Sequence, residues 1–431
     1  MPGRIKNMGK NMKKSDLGAE TPGRFHRSTN DPWTAELGLM LVVLLLLMPA
    51  ASRAQTFSIL YNFSSVPGTG AWSKAPLLRD SAGNLYGTTS ANTSVGGNGL
   101  VFKIDAEDEY SILYSFAGVP EGYNPTGALI EDGEGNLYGT TLDGGAYYGG
   151  TVFKLAKTGA ETLLHSFSGS AGDGIAPYAG LIRDGSGDLF GTTTYGGTGS
   201  CSGGCGTVFE ISKAGVETVL YSFPSTAVGS YPASALVRDS EGNLYGTTYY
   251  GGLSCNCGTV FKLHRSGSIW EETVLHEFSG GLEDGSGPEG SLVLDPAGNI
   301  YGTTYVGGAH SVGTIYKMTP QGKVTLLHSF NYSDGAYPAS GLVQDAQGNF
   351  YGTTLGGRSH TACGVGCGTI FKLTGAGVET VLFAYPNNGN DGEAPNGVIL
   401  DSEENLYGTS AYNGINGGFT PGPGNVFKLS Q

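Results

Sequence analysis

The chain has 431 residues, of which 75 are glycine and 10% are aromatic, while only 14% carry a charge. A disordered chain lacks the apolar surface that offsets the entropy of ordering, so a hydrophobic content of 39% excludes extended disorder. Acidic residues outnumber basic ones by 37 to 23, and a surface of this sign repels nucleic acid. Nucleic-acid binding is therefore excluded as a function.

Residues 1–54 differ in composition from the rest of the chain. They carry eight of the 23 basic residues, an apolar run at 37–48, and small residues at 52 and 54. Such a combination is typical of a secretory signal. We expect this region to be removed on export, leaving residues 55–431 outside the cell or at its surface. The alternative is an uncleaved membrane anchor, although spanning a bilayer takes ~20 apolar residues.

One sequence unit recurs seven times in residues 55–431. Its signature is an aromatic residue followed by Gly-Thr, and successive copies are 50 to 56 residues apart. The aromatic residues are Tyr86, Tyr138, Phe190, Tyr245, Tyr301, Tyr351 and Tyr407. A period of this length is typical of folds in which each repeat packs against the next one.

Each unit contains four short runs rich in Val, Leu, Tyr, Phe and Thr, which favour β-strands. In the fourth unit the first two runs are joined by Asp-Ser-Glu-Gly-Asn at 239–243. An aspartate can bind nearby amides, and Gly and Asn tolerate positive φ, so this pattern predicts a hairpin turn. Because the aspartate recurs in all seven units, we expect it to be structural.

The two ends of the repeat region complement each other. The region begins with a spare fourth strand at 56–63, and its last unit stops after the third strand at 425–429. Pairing of these two strands would close a ring and remove two exposed edges. The sequence therefore predicts an all-β fold: a seven-bladed β-propeller of four-stranded antiparallel blades, closed by the N-terminal strand joining the last blade.

The recurring pattern is G-x-L-hydrophobic-x-D-x-x-G-N-L-Y-G-T-T…G-G…G-T-V-F-K-L, and it extends from about residue 56 to residue 429. It resembles the GloVer-type tandem repeat of bacterial extracellular proteins, a choice-of-anchor family. The resemblance implies β-propeller-like repeats and export, and it implies no particular reaction. Many relatives carry a C-terminal sorting anchor, whereas this chain ends at Leu429-Ser430-Gln431. The resemblance therefore implies secretion rather than a C-terminal anchor.

The six cysteines lie in the loops between second and third strands. They form three close pairs, Cys201 and Cys205, Cys255 and Cys257, and Cys363 and Cys367. In an exported protein, an even number of closely spaced cysteines favours disulfides. The ring closed by Cys255 and Cys257 would be small and strained, so these two residues could instead pair with another loop. A metal site is the alternative, but no histidine shares the spacing, and we predict no metal here.

The histidines offer no recognisable catalytic set. His165, His276 and His328 occupy one repeat position, at which other units have tyrosine or phenylalanine. A position that accepts all three rings is expected to fill space on a strand. No nucleophile, base and acid stand in a familiar local context. We therefore predict structural histidines and no catalytic residues.

The loops that join one unit to the next carry the first candidate binding residues. Asp-Gly or Glu-Gly recurs there, followed shortly by proline. The acids are Glu121, Asp173, Asp284, Asp334 and Asp391. Because these loops share one face of a propeller with the second-to-third-strand loops, we expect a partial ring of carboxylates around the channel mouth. It would bind a polyol or a cation, with calcium as the candidate cofactor, unless each acid only forms a stiffened turn.

Tyrosines in the neighbouring loops are the second candidate set. They are Tyr148, Tyr195, Tyr250 and Tyr305. Aromatic faces flanked by acids suit carbohydrate binding, because tyrosine combines an apolar ring with a hydroxyl that stays wet. Tyrosine is also common in ordinary strands, which is the alternative interpretation.

Three functions are compatible with this pattern. We place first a non-enzymatic binding module for a polysaccharide or an extracellular protein. A cell-envelope structural protein comes second. A secreted carbohydrate-active hydrolase or lyase comes third, since glycoside hydrolysis needs only two carboxyl groups about 5 to 10 Å apart. The sequence predicts neither the ligand nor the oligomeric state.

Overall fold

The computed structural model describes residues 55–64, 68–92, 97–170, 172–357, 367–386, 393–412 and 422–431. None of these residues lies in a helix, and thus none belongs to a helix long and apolar enough to cross a membrane. The strands form seven antiparallel blades, numbered 1 to 7 along the chain. Within each blade the strands are named A to D in the order in which they pair.

The strand bounds repeat closely from blade to blade. Strands A are Leu78–Arg79, Ile130–Glu131, Ile182–Arg183, Val237–Arg238, Val293–Leu294, Val343–Gln344 and Glu393–Leu400. Strands B are Leu85–Thr89, Leu137–Thr141, Leu189–Thr193, Leu244–Tyr250, Ile300–Thr304, Phe350–Thr354 and Leu406–Tyr412. Strands C are Leu100–Ile104, Thr151–Leu155, Thr207–Ile211, Thr259–Ser266, Thr314–Met318, Thr369–Leu373 and Asn425–Ser430. Strands D are Tyr110–Ser115, Glu161–Ser166, Glu217–Ser222, Ile269–Glu277, Val324–Ser329, Glu379–Ala384 and, for blade 7, Thr56–Asn62.

Five shorter strands lie outside this scheme. Gly174–Ile175 pairs with Tyr195–Gly196, and Gly285–Ser286 pairs with Val306–Gly307. Ser230–Pro232 adds to strand B of blade 4. All of them connect the start of a blade to the end of its own strand B.

The hydrophobic core lies between adjacent blades. One cluster combines Val152 and Phe167 of blade 2 with Leu181, Phe209 and Ile211 of blade 3. Other clusters repeat this arrangement around the ring, and each draws its buried residues from two neighbouring blades. A single blade cannot bury both of its faces, so the blades stabilise one another.

The glycine of the aromatic-Gly-Thr signature lies beneath an aromatic ring of strand C. A Cβ atom at Gly246 would be 2.6 Å from the Phe261 ring and 3.0 Å from Leu236. Phe261 is fully buried, so it has no space into which to move. The signature is therefore a packing requirement of strands B and C.

The Asp-x-x-Gly-Asn turn between strands A and B is organised by its aspartate. In blade 4, Asp239 Oδ1 accepts hydrogen bonds from the amides of Glu241 and Asn243, both at 2.9 Å. Its Oδ2 accepts one from the Tyr245 hydroxyl at 3.0 Å, and the same tyrosine bond recurs in every other blade except blade 3. Burial raises the pKa of Asp239, but these hydrogen bonds outweigh burial and lower it overall. The aspartate is structural, as the sequence predicts.

The N-terminal strand closes the ring. Thr56 pairs with Ser430 and Asn62 with Asn425 in an antiparallel ladder. The Phe63 amide extends the contact by donating to the Gly424 carbonyl at 3.1 Å. The predicted seven-bladed propeller and its mode of closure are confirmed.

Candidate functional site

Each blade is connected to the next through a residue at positive φ. These residues are Trp72, Asn124, Ala176, Tyr231, Gly287, Tyr337 and Ala394, with φ between 52° and 64°. Each donates its amide to a carbonyl of the preceding blade, for example from Tyr231 to Cys205 at 3.0 Å and from Tyr337 to Val312 at 2.7 Å. Six of the seven precede a proline. We call these seven residues, with the two that follow each, the blade joints.

Tyrosine is an unusual residue for this backbone conformation. Glycine adopts positive φ at little cost, whereas a bulky side chain there is an outlier. A residue before proline is also biased towards extended backbone. Tyr231 and Tyr337 nevertheless have φ of 59° and 61°. Strain of this kind costs ~1–3 kcal/mol and is often found at ligand sites.

Both strained tyrosines belong to a group of rings on blades 3 to 6, which we call the tyrosine arc. Its members are Tyr195, Tyr231, Tyr249, Tyr250, Tyr305, Tyr332 and Tyr337. Tyr231 contacts Tyr195 and Tyr250 edge-on, with ring centroids 5.1 and 5.6 Å apart. Tyr250 in turn lies 4.7 Å from Tyr249. These four rings form the first half of the arc.

The second half is organised around the other strained tyrosine. The ring of Tyr337 lies 5.2 Å from that of Tyr305, and its hydroxyl is 2.9 Å from the Tyr332 hydroxyl. Tyr195, Tyr250 and Tyr332 are each more than 40% exposed. The arc therefore presents aromatic surface to solvent, with its polar hydroxyl groups alongside.

A cavity of ≈ 500 Å³ lies at the centre of the ring, where all seven blade joints meet. Much of its wall consists of small residues that precede the strands A, such as Ala128, Ala179 and Ala235. Tyr249 and Tyr305 line it as well, so the two halves of the arc meet at its rim. The centre of the propeller is thus an open space beside an aromatic surface.

Glu289 is the acidic residue of the described cavity wall, and Lys74 is the basic one. Burial raises the pKa of the Glu289 carboxyl group. Burial also raises the pKa of Tyr249 and of Tyr305, and the nearby Glu289 charge adds to both shifts. The carboxyl group therefore lies within electrostatic reach of both halves of the arc.

The joining-loop acids lie elsewhere. Asp173 accepts hydrogen bonds from Ser168 and Gly174 in its own loop, and Asp284 accepts them from Ser279 and Gly285. Asp334 is likewise bound by the Asn331 amide, and Glu121 by the Tyr114 hydroxyl. Their side chains face strand D at the outside of the ring, and none of these four lines the cavity. Among the described residues, the carboxylate ring expected around the channel mouth does not form, because each acid turns towards its own loop. Asp391 lies outside the described residues.

The Gloeobacter/Verrucomicrobia repeat matches residues 49–257 and 199–427 of the chain. These two overlapping segments include all seven blades. The chain belongs to this repeat family. No match was found among curated proteins.

Solved structures with a similar fold share little sequence with this repeat protein. The extracellular domain described as part of a one-component system of B. thetaiotaomicron is 11% identical, with a TM-score of 0.53 over 88% of this chain and 40% of that one. PorZ, a surface component of the type-IX secretion system of Porphyromonas gingivalis, is 13% identical, with a TM-score of 0.52 over 84% and 47%. The chain thus spans less than half the length of either protein. A Bacteroides uniformis protein described as a 6-phosphogluconolactonase is 16% identical, with a TM-score of 0.48 over 72% and 84%. Likeness at these identities concerns the fold.

The cysteines of the repeat region support the blade joints. Cys201 is bonded to Cys205 and Cys255 to Cys257, so the second pair closes its small ring and does not pair across loops. Cys367 is also disulfide-bonded, and Cys363 lies outside the described residues. In all three loops the second cysteine accepts the amide of the positive-φ residue that follows. The disulfides therefore brace the loops against which the next blade is fixed.

The sequence predicted only part of the central site of this repeat protein. Tyr195, Tyr250 and Tyr305 belong to the arc, whereas Tyr148 lies on blade 2 and is 66% exposed. Glu289 was missed. It is the third residue of its blade joint, a position at which the other repeats have lysine, threonine, tyrosine, alanine or asparagine. The aligned repeats differ in residue type at this position, which faces the centre of the ring. This variation is the signal in the sequence that could have identified Glu289.

Proposed function

We propose that the protein is exported and acts as a non-enzymatic module that binds a saccharide on the tyrosine arc and in the adjoining cavity. The single observation that carries this proposal is the arc itself. Seven tyrosines from four successive blades, spread over residues 195 to 337, are in contact or share the cavity rim.

The chemistry of the arc suits a sugar. The C–H faces of a pyranose stack on aromatic rings, while its hydroxyl groups need polar partners close by. The exposed rings of Tyr195, Tyr250 and Tyr332 supply the first, and the hydroxyl groups of the arc with Glu289 supply the second. A cavity of ≈ 500 Å³ lies within the size range of small-molecule sites, and it would hold one or two sugar units.

The backbone strain supports the same conclusion. Asparagine at the equivalent position of blade 2 and glycine at that of blade 5 fit positive φ better than tyrosine does. Tyr231 and Tyr337 retain the strained conformation at the centres of the two halves of the arc. A ligand role for their rings explains why the cost is tolerated.

Export is supported by the cysteine chemistry. Disulfides persist in oxidising compartments, and Cys201–Cys205 and Cys255–Cys257 each close a loop between strands B and C. Residues 1–54 have the composition of a secretory signal, and we propose that they are removed. The mature protein, residues 55–431, would act outside the cell or at its surface.

Binding can be tested by calorimetry with a panel of oligosaccharides and soluble polysaccharides. We expect saturable binding without turnover, unchanged by added calcium. Tyr231→Gly and Tyr337→Gly remove a ring while relieving strain, so they should fold normally and weaken binding by about tenfold or more. Tyr148→Gly is the matched control, because Tyr148 has φ of 63° and is exposed outside the arc. Its binding should equal that of the wild type.

Three results would overturn the proposal. Equal loss of affinity in Tyr148→Gly and Tyr231→Gly would show that the arc is not the site. Release of reducing ends that disappears in Glu289→Gln would assign the protein to the carbohydrate-active enzymes. Absence of binding across the panel would redirect the search to extracellular protein partners.

A further inference from the structure

Three metal-ligating side chains converge at the outside of the ring, between blades 2 and 3. His165 lies on strand D of blade 2, Asp173 follows it in the joining loop, and Glu217 begins strand D of blade 3. One ligand atom from each lies within 4.8 Å of the other two. All three side chains are half-buried. No residue of this cluster belongs to the tyrosine arc, and the inference does not rest on the proposed function.

The polar atoms of this cluster are incompletely satisfied. His165 Nε2 is 3.5 Å from Asp173 Oδ1 and makes no hydrogen bond with it. Both His165 Nε2 and Glu217 Oε1 are buried and have no hydrogen-bond partner. A buried polar atom without a partner costs ~1–3 kcal/mol, so two such atoms beside the Asp173 carboxylate require an explanation.

The same arrangement recurs between blades 5 and 6. His328, Asp334 and Glu379 occupy the equivalent places, and their ligand atoms also lie within 4.8 Å of one another. His328 Nε2 is 3.4 Å from Asp334 Oδ2. The same set of three ligands is thus assembled at two blade boundaries, each time from three separate segments of the chain.

We propose that the chain binds two divalent transition-metal ions of the class of Zn²⁺, one at each of these clusters. One imidazole and two carboxylates give a near-tetrahedral ligand set in which a water molecule completes the fourth position. Two carboxylates balance the charge of the ion. Calcium is disfavoured because it takes oxygen ligands almost exclusively, whereas imidazole nitrogen suits zinc. Each ion would fasten the outer strands of two blades together.

At three other blade boundaries the equivalent position holds neighbouring blades together. Phe383 stacks on Phe57 at 4.0 Å between blades 6 and 7, and Tyr61 stacks on Tyr110 at 3.7 Å between blades 7 and 1. Between blades 3 and 4, the Tyr221 hydroxyl donates to Glu272. Direct ring or hydrogen-bond contacts close these boundaries. At the two His-Asp-Glu boundaries an ion would take that role.

The boundary between blades 4 and 5 is an incomplete version of the site. His276 Nε2 is 3.3 Å from Asp284 Oδ1, and both residues match the first two ligands. Val324 stands where blades 3 and 6 have glutamate. The chain therefore contains a natural two-ligand control within the same fold.

The proposal is tested by stripping the full protein with chelator, dialysing it, and titrating it with ZnCl₂. Calorimetry and elemental analysis should give two ions per chain, together with a higher melting temperature. Glu217→Gln and Glu379→Gln should each remove one ion, and Val324→Glu should add one at His276 and Asp284. Glu272→Gln, at the same strand position in blade 4, should leave the count at two.

Failure of the wild type to bind Zn²⁺, or two ions retained in the Glu217→Gln, Glu379→Gln double variant, would overturn the proposal. If a variant does not fold, X-ray absorption spectroscopy of the Zn²⁺-loaded wild type tests the ligand set directly. One imidazole among nitrogen and oxygen ligands is the expected coordination. A sulfur ligand, or a shell without imidazole, would contradict the assignment.

Discussion

Glu272 is a carboxyl group held between two blades. Its Oε2 accepts a hydrogen bond from the Tyr221 hydroxyl of blade 3 at 3.5 Å. Burial raises the pKa of Glu272 to about 7, and the Tyr221 hydrogen bond offsets only part of that shift. Because its ordinary value is 4.5, the folded protein holds this proton more tightly than the unfolded chain does. The stability gained in this way is complete below pH 4.5 and is lost as the pH rises through 7.

Glu272→Gln should therefore remove one source of alkaline destabilisation. The free energy of unfolding of the variant minus that of the wild type should be about 1–2 kcal/mol larger at pH 8 than at pH 5. The difference is no greater because water still screens part of the Glu272 carboxyl group. Urea unfolding at the two pH values measures this difference. Glu283→Gln, at an exposed position in the loop that follows the same strand, is the control and should show no such change. A pH-independent effect of Glu272→Gln would contradict the assignment.

Phe190 shows how one substitution is compensated by a neighbour. It replaces the tyrosine whose hydroxyl binds the turn aspartate in the other blades. In blade 3 the Arg238 guanidinium, from the next blade, lies 3.6 Å from Asp184 and 5.6 Å from the centre of the Phe190 ring. The missing hydrogen bond is thus replaced by a charge that crosses a blade boundary. A single repeat does not contain this information.

At the scale of elements, the blade joint is the unit that sets the geometry of the ring. The glycine that precedes strand C adopts positive φ and lies against the proline ring of the following joint, as Gly258 does with Pro288. A Cβ atom at Gly258 would lie 2.5 Å from Pro288 Cδ and 2.5 Å from the Thr248 carbonyl oxygen. This contact explains why glycine begins the G-T-V-F-K-L motif and proline begins the next unit.

Gly258→Ala should destabilise the protein by about 2–4 kcal/mol, because it combines a strained φ with a steric clash. Differential scanning calorimetry would detect the change as a lower melting temperature. Gly185→Ala is the control, since a Cβ there would contact nothing within 4 Å and blade 6 has alanine at the same turn position. Equal melting temperatures for the two variants would refute this account of the joint.

The strands, turns and closure of the propeller could be predicted because they depend on local patterns that repeat. Hydrophobic alternation and the Asp-x-x-Gly-Asn turn are each contained within a few residues, and the spare strand at 56–63 matches the fourth run of the other repeats. The candidate site depends on loop backbone instead. Whether a tyrosine such as Tyr231 points towards its neighbours is decided by its φ, which sequence does not specify.

The joining-loop acids illustrate the same limit. Asp173 was expected at the channel mouth, but its loop turns it towards His165 on the outer strand. Glu217 lies one repeat further along the chain, and only the stacking of two blades brings it to these residues. The sequence pattern within one repeat does not show which residues of the neighbouring repeat it will contact.

At the scale of the whole molecule, one strand pair determines whether the ring is closed. Strand D of blade 7 comes from the N-terminus, and Ser58 lies opposite Lys428, which is 370 residues away. Without this strand, the edge at Asn425–Ser430 would expose unpaired backbone groups, and an open edge promotes association.

A chain that begins at Phe63 should therefore associate through its open edge. Light scattering coupled to gel filtration should show oligomers, which a peptide of residues 55–62 added in excess should convert to the size of the intact protein. A chain that begins at Gln55 is the control, because it retains the closing strand. An unassociated, stable protein lacking residues 55–62 would show that closure is dispensable.

The closing ladder also determines how the propeller responds to mechanical load. Thr56 lies opposite Ser430, so the segment 55–431 begins and finishes at the same end of this strand pair. A force pulling those ends apart would break the hydrogen bonds one after another, as in unzipping, and would not load them together in shear. A ring whose neighbouring blades share buried clusters would thus open under tension at a single strand pair. If such a protein were tethered at one end and bound to its surroundings at the other, the strand pair that closes blade 7 would separate first.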